Sequence, residues 1–414
     1  MHEDSRNRND EVQTLIGNKD LVVFGARNVA REVAGCLLQK PYQARIRYFL
    51  VTDRKDNPDS LFGIPVITLS EAATFLPRDT MIVIAAVEKH LDSILEGLHS
   101  YGYRRTISLT FDCDLWEQVR EFYFQETWKE REYPYLTLEE ALKRVSPVLD
   151  CPAGKPEYKK RVDRSTVDIT SAKYFEESKQ AKEETAPDVH LYTAKCHVDR
   201  TLREDFSRFS WEIPIQVGAD LTDHRICTVC DNTGEHISGK NREYCELTAL
   251  YWIWKNDQAK YSGLGHYRRH FILTPELLEQ LEQSDIDVVL TVPVFNLPDV
   301  RTVYELDHVV ADWDVMLEAI ERFAPEYRKA ADTLQKGTYY HAYNMLIARR
   351  EILDKYCCWL FPILKYCEEH CEQKEDSYQN RYIGFLAERL LSIYFLYHEA
   401  DYKIVHARKH FVME

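Results

Sequence analysis

Between Asp231 and Phe271 the chain carries its densest pattern. A turn-forming run, DNTGEHIS (Asp231 to Ser238), leads into a helix-like segment, KNREYCELTALYWIWKN (Lys240 to Asn256), and then an apolar run that ends in GLGHYRRHF (Gly263 to Phe271). Leu247, Leu250, Tyr251 and Trp254 recur at i, i+3, i+4 and i+7, so one face of that helix must be buried. Ser238 is placed to cap the orphan amides at its start, which makes that end a seat for an anion. Past the helix, His266, Arg268, Arg269 and His270 can all carry positive charge. Alternation along a strand puts His266 and Arg268 on one face and Tyr267 and Arg269 on the other. In a chain of formal net charge -15, such a cluster is either a solvated strand end paired with carboxylates or an anion site. Its place directly after a buried-looking strand, where α/β proteins bind ligands, favours the second.

At 414 residues the chain is long for one core and fits two domains and a linker. Residues 1–18 are polar and read as a flexible N-terminus. Residues 19–112 alternate strand-like and helix-like runs: Leu21 to Phe24, then GARNVAREVAGCLL, LVTD ending at Asp53, and TMIVIAAV. That alternation predicts a Rossmann-like parallel sheet. Its phosphate fingerprint is incomplete, with Gly25 in the first glycine position, Arg27 in the second and Ala30 in the third. The arginine obstructs close approach to a pyrophosphate, while Asp53 is placed for a ribose. Gly25, Arg27 and Asp53 are therefore the candidate ligand residues of this domain, with a docking module as the alternative. Residues 113–187 read as a helical and charged linker, and 188–414 as the second α/β domain.

No apolar run approaches the ~18 residues that cross a bilayer, and the N-terminus is too polar for a signal peptide. Those features lead to the expectation of a cytoplasmic protein, at most peripheral to the inner membrane. The 11 cysteines, irregularly spaced, read as thiols. Cys227 and Cys230 form a lone C-x-x-C, short of the ligands a zinc site needs. The acidic balance argues against nucleic acid as a partner.

The run from DNTGEHIS through YCELTALYWIWKN to GLGHYRRHF resembles a bacterial family of capsular and exopolysaccharide biosynthesis proteins, domain of unknown function 4422. Its members are regarded as GT-A-type glycosyltransferases. The likeness extends upstream to HLYTAKC and IPIQVGA, and downstream to HAYNMLIARREILDKYCCWLFPIL and RYIGFLAERLLSIYF. The resemblance implies transfer of a sugar, such as galactose in pyranose or furanose form, from a nucleotide-sugar donor (a UDP-sugar) to an oligosaccharide or lipid-linked acceptor. It places Thr193, Lys195, Gly218, Asp231, Asn232, Gly234, Ser238, Asn241, Tyr244, Tyr267 and Arg269 at the donor, and His341, Asn344 and Arg381 at the acceptor or sugar.

GT-A enzymes mostly hold a divalent metal, Mn or Mg, on a D-x-D at a central strand end, where this chain reads GHYRR. Asp285 and Asp287 precede their strand, and Asp312 and Asp314 would point about 200° apart on a helix. No metal ligand is assigned. His266 and Arg268 are expected to supply some or all of the metal's positive charge at the departing diphosphate, with a divalent metal, Mn or Mg, left open as the alternative. Glu388, amid apolar neighbours in GFLAERLL, is the expected base, against an ion pair with Arg381 or Arg389. The N-terminal domain resembles those attached to sugar-modifying enzymes, including sialic-acid and bacillosamine acyltransferases. Two rival readings are a nucleotide-sugar epimerase or dehydrogenase and a non-catalytic nucleotide-sugar-binding scaffold. The first lacks a Tyr-x-x-x-Lys pair in residues 20–112.

Overall fold

The computed structural model describes residues 20–111, 113–131, 135–145, 188–200, 202 and 212–412. The charged runs of the expected linker, Cys151 to Ser165 and Lys173 to Pro187, and the N-terminal 18 residues lie outside them. The fold is mixed α/β in two compact units, the first holding the described residues through Tyr135 and the second those from Leu136.

In the first unit, strands β1 (Asp20–Phe24), β2 (Arg45–Val51), β3 (Ser60–Leu61), β4 (Ile64–Thr68), β5 (Ile82–Ile84) and β6 (Thr106–Ser108) form a sheet of order β3-β4-β2-β1-β5-β6. All its pairings are parallel except β3 with β4. Helix α1 (Asn28–Leu38) buries Ala30, Val33, Ala34 and Leu37, and α2 (Leu69–Ala72) and α3 (Leu91–Ser100) follow β4 and β5. Helix α4 (Asp114–Thr127) belongs to this core and not to a linker. Trp116, Val119, Tyr123 and Phe124 are buried on it, and the Tyr42 hydroxyl donates to the Val119 carbonyl at 2.9 Å. Its apolar stripe is interleaved with charges, which is why composition alone hid it.

The second unit opens with α5 (Leu138–Val145), whose Leu138, Ala141 and Leu142 pack with Leu278, Leu281 and Val405. Here too the linker expectation gives way to core. Strands β7 (Val189–Lys195), β8 (Glu212–Gln216) and β9 (Val229–Cys230) come next. The expected single helix from Lys240 to Asn256 is two, α6 (Asn241–Tyr244) and α7 (Leu247–Asn256). They are separated at Cys245, whose φ is 52°. The Asn241 amide spans the break, donating to the Cys245 carbonyl at 2.7 Å and to the Thr248 hydroxyl at 3.2 Å.

After β10 (Tyr261–His266) and β11 (Arg269–Phe271) come α8 (Pro275–Gln283), β12 (Val288–Thr291), β13 (Val294–Phe295), α9 (Val300–Asp307), α10 (Val310–Phe323) and α11 (Arg328–Gln335). The chain ends through β14 (Tyr339–Tyr340), β15 (Leu346–Arg349), α12 (Arg350–His370), α13 (Tyr382–Tyr397), β16 (Ile404–Ala407) and β17 (Lys409–Phe411). The principal sheet has nine strands, ordered β16-β12-β15-β10-β7-β8-β9 with β11 and β17 attached beyond β10. Along that path only β15 runs against its neighbours. The carboxyl ends of β7, β8, β10, β12 and β16 therefore share one edge. Helices α10, α12 and α13 bury their apolar stripes in one cluster with α7 and the sheet. None of the described helices is long and apolar enough to cross a membrane.

Candidate active site

Strand β7 is hydrogen-bonded on one side to β8, which follows it in sequence, and on the other to β10, to which the chain returns later. Such a reversal opens a crevice beyond the strands' carboxyl ends, the usual ligand position in an α/β sheet. Lys195 ends one of these strands and His266 the other.

The HYRR segment departs from simple strand alternation. Tyr267 and Arg268 form the turn of a hairpin in which His266 pairs with Arg269, so His266 shares its face with Arg269 and not with Arg268. His266 is half-buried and donates from Nε2 to the Tyr343 carbonyl at 2.6 Å, with the Glu246 carboxylate 3.8 Å away. Burial pushes its pKa below the ordinary histidine value, Glu246 pulls it part of the way back, and Arg269 pushes it down. A neutral, internally bonded imidazole does not carry charge to a diphosphate, which corrects the role expected of His266. His270 is buried between Glu212, 3.0 Å away, and the Tyr267 carbonyl, 3.2 Å away, and joins the framework. Arg269 lies over the Tyr343 ring, 4.2 Å from its centroid, and both arginines flank Phe411 at 5.1 and 5.3 Å.

On the other side of this hairpin stand two carboxylates. Glu388 lies in the second turn of α13 with its side chain 16% exposed. It accepts from the Tyr343 amide at 2.9 Å and from Arg389 Nη1 at 2.9 Å. The ion pair weighed from sequence is therefore present, with Arg389. Burial nevertheless raises the Glu388 pKa, Arg389 lowers it, and the nearby Glu246 raises it. Glu246 follows the helix break and was not singled out from sequence, where it is one acid among apolar residues. It accepts from Asn344 Nδ2 at 2.7 Å. Asn344 is 1% exposed, so its expected contact with acceptor gives way to positioning Glu246 and the Gly384 carbonyl.

Asp199, also unremarked in the sequence, lies four residues past the end of β7 and accepts from the Cys196 amide at 2.6 Å. Burial lifts its pKa to about 6 against the opposing pull of the Cys196 amide and of the charges of Lys195, Arg268 and Arg381. Those three cations come from the end of β7, the hairpin turn and the residue before α13. All three therefore act on the one carboxylate of Asp199. Arg381 Nε also contacts Cys245 Sγ at 3.2 Å, tying it to the helix break. Thr193, at 2% exposure, has a hydroxyl without a partner among the described residues.

The DNTGEHIS loop is built inward. Asp231 is fully buried and accepts from the Gly218 and Ala219 amides at 2.9 and 3.1 Å and from the Ser238 hydroxyl at 2.5 Å. Ser238 in turn accepts from the Asp220 amide, so it caps no helix and seats no anion. Asn232 bonds Asp220, and the Tyr244 hydroxyl bonds Glu368 at 3.0 Å. Gly218 and Gly234 take left-handed φ values of 65° and 61° at the turns. The donor contacts expected of Asp231, Ser238, Asn241 and Tyr244 are replaced by roles that shape the loop beside the crevice. His341 likewise turns inward, bonding the Thr291 carbonyl at 3.0 Å and stacking on His406.

Both D-x-D strings are engaged away from the crevice. Asp285 pairs with Lys403 and Asp287 with Arg349, while Asp312 pairs with Lys374 and Asp314 with Arg301. At the crevice itself the charges of Lys195, Arg268 and Arg381 act on Asp199. In the first unit, Gly25 takes φ 121°, and a Cβ there would stand 2.3 Å from the Ala85 carbonyl oxygen. Arg27 is largely exposed near Asp56, and Asp53 accepts from the Lys55 amide in its own turn.

Residues 196–399 match the family described as Domain of unknown function (DUF4422). That span contains the hairpin, both carboxylates, Asp199 and the inward loop. No curated protein matches the chain at a significant level. Among solved structures, the apo structure of WbbM, a bifunctional glycosyltransferase, is similar at 27% identity over 55% of this chain, with a TM-score of 0.49. The match covers 45% of that structure's chain, so this chain spans less than half of it.

Proposed function

We propose that the second unit is a glycosyltransferase domain that moves a sugar from a nucleoside-diphosphate donor to a saccharide or lipid-linked acceptor in polysaccharide synthesis. The observation that carries this reading is that Lys195 at the end of β7, Arg268 in the turn after β10 and Arg381 before α13 all act on the carboxylate of Asp199, with the half-buried Glu388 further along α13. Three cations from separate elements suit a diphosphate, and a guanidinium binds its oxygens bidentately. The match of residues 196–399 to DUF4422 falls on the stretch whose motifs resemble glycosyltransferases.

In the proposed reaction an acceptor hydroxyl attacks the anomeric carbon of the donor. The bond from that carbon to the diphosphate oxygen breaks, and its electron pair leaves with the diphosphate. Lys195, Arg268 and Arg381 meet the developing negative charge with positions fixed in advance. Glu388 takes the hydroxyl proton, and a carboxylate raised by burial is a stronger base than one in water. Glu246, held by Asn344, keeps negative charge near both Glu388 and His266.

The test is thermal denaturation against a panel of nucleosides, nucleoside mono- and diphosphates and nucleotide sugars. A ligand that binds the folded state alone raises the melting temperature. Diphosphates are expected to shift the wild type and to lose that shift in Lys195→Ala and Arg268→Ala. If no member of the panel shifts the wild type at millimolar concentration, the reading falls.

A further inference from the structure

We infer that the aromatic cluster of Tyr378, His308 and Phe385 is the platform on which a pyranose ring of the saccharide acceptor stacks. Tyr378 is 52% exposed, although it is a large ring in contact with others. His308 stacks on Phe385 with ring centroids 4.0 Å apart and planes 24° from parallel, and Tyr378 lies 5.2 Å from Phe385 and 6.1 Å from His308. Phe385 is buried at 9% exposure and backs the cluster, so Tyr378 is the ring that offers an open face, and such a face binds the apolar side of a sugar ring, whose axial C–H bonds meet the π cloud. Burial first, and then the Arg389 charge, push the His308 pKa down to about 4, so the platform stays neutral near pH 7.

The platform is continuous with the candidate carboxylate. Phe385 lies one helical turn before Glu388 on α13, so the two share a face and stand about 4.5 Å apart along the axis. Arg381, two turns before Glu388, holds its guanidinium 6.0 Å from the Tyr378 centroid and 5.7 Å from that of Phe385. The same arginine acts on Asp199. A sugar ring on Tyr378 therefore lies beside Arg381 and next to the stretch of α13 that carries Phe385 and Glu388. The exposed Leu306, at 73%, extends the apolar rim where α9 ends.

This inference rests on the glycosyltransferase reading, and the two are separated by measuring different ligands on the same protein. The probes are methyl β-galactopyranoside and methyl β-glucopyranoside in saturation-transfer NMR, with neutral and anionic phospholipid vesicles as a second arm. Transfer to the ring C–H protons is expected in the wild type and in Tyr378→Phe, and is expected to fall at least fivefold in Tyr378→Ala. Half-exposed Tyr378 tolerates truncation, which an unchanged melting temperature would verify. No sugar signal in the wild type, or an equal one in Tyr378→Ala, overturns the platform. Vesicle binding that Tyr378→Ala abolishes, without a sugar signal, also overturns it and assigns the cluster to lipid. Diphosphate shifts recorded in parallel show whether the donor reading stands when the platform falls.

Discussion

In the first unit the strands flanking the reversal of strand order are β1 and β5, and in the second they are β7 and β10. The two crevices have the same topological origin, and their furnishing differs. At the first, Gly25 packs against the Ala85 carbonyl, Arg27 extends into solvent beside Asp56, and Asp53 serves its own turn. At the second, Lys195, Arg268 and Arg381 act on one half-buried carboxylate, with Glu246 and Glu388 close by. Topology supplies a place for a ligand, and side chains recruited from separated elements decide whether chemistry follows. Each substitution below tests that contrast by changing one crevice and comparing it with the other.

The largest effect is expected at the carboxylate. Glu388→Gln should lower sugar transfer by about 10²–10⁴-fold, the usual range for a general base, while nucleotide binding persists. Asp53→Asn, the acidic candidate of the first crevice, should leave transfer unchanged. Product formation by mass spectrometry with the donor found in the thermal screen checks both, and full activity of Glu388→Gln would reduce that residue to the Arg389 ion pair. Next in size, Arg268→Ala should lower kcat/KM by about 10²–10³-fold, as loss of a charge stabiliser does. Arg27→Ala, equally cationic in the other crevice, should change it less than twofold.

How much of this contrast could be read from sequence depends on how local its causes are. The strands at Leu21 to Phe24 and Tyr261 to Gly265 were legible as short apolar runs, buried throughout, and helices α12 and α13 by the helical spacing of their apolar residues. Glu388 was legible as an acid within an apolar helix. The break at Cys245 was not, because a non-glycine residue at positive φ has no local signature, and the Asn241 side chain that bridges it is set by the folded loop. The hairpin at Tyr267 and Arg268 was missed for a similar reason. Four potential cations within five residues conceal a turn that carries neither glycine nor proline. Asp199 and Glu246 gave weaker signals still, one in the polar run CHVD after a strand and the other in CEL at a helix start. Their importance arises from Lys195, Arg268, Arg381, His266 and Asn344, which reach them across the fold.

Backbone geometry gives a third, smaller separation between well-filled and open positions. Gly25→Ala would force φ 121° on alanine and drive its Cβ to 2.3 Å from a carbonyl oxygen, costing about 1–3 kcal/mol or more. Gly239→Ala, with nothing within 4 Å of the added methyl, should stay within about 0.5 kcal/mol of wild type. Urea denaturation followed at a probe in each unit reads the difference. Equal stability of the two variants would mean that the first crevice is looser than its packing indicates.

The smallest expected effect, and the one that depends most on the second crevice being charged, is the pH response of Asp199. Its folded pKa of about 6 exceeds the ordinary aspartate value of 3.8, so the folded state holds the proton more tightly than the unfolded chain does. Below about pH 4 the group is protonated in both states and costs nothing. As pH rises from 4 through 6 the fold must ionise a half-buried carboxylate, and stability is lost across that window. Asp199→Asn removes that cost, so the variant should be more stable than wild type by roughly 1–3 kcal/mol at pH 7.5, with the gain vanishing near pH 4. The same substitution frees Lys195, Arg268 and Arg381 from a competing anion. Affinity for a nucleotide sugar, whose doubly esterified diphosphate does not titrate near pH 6, should therefore rise in Asp199→Asn at pH 7.5, and in wild type should climb as pH falls toward 6. A variant less stable than wild type at pH 7.5, with weaker diphosphate binding, would show instead that the carboxylate is needed to hold the three cations in place.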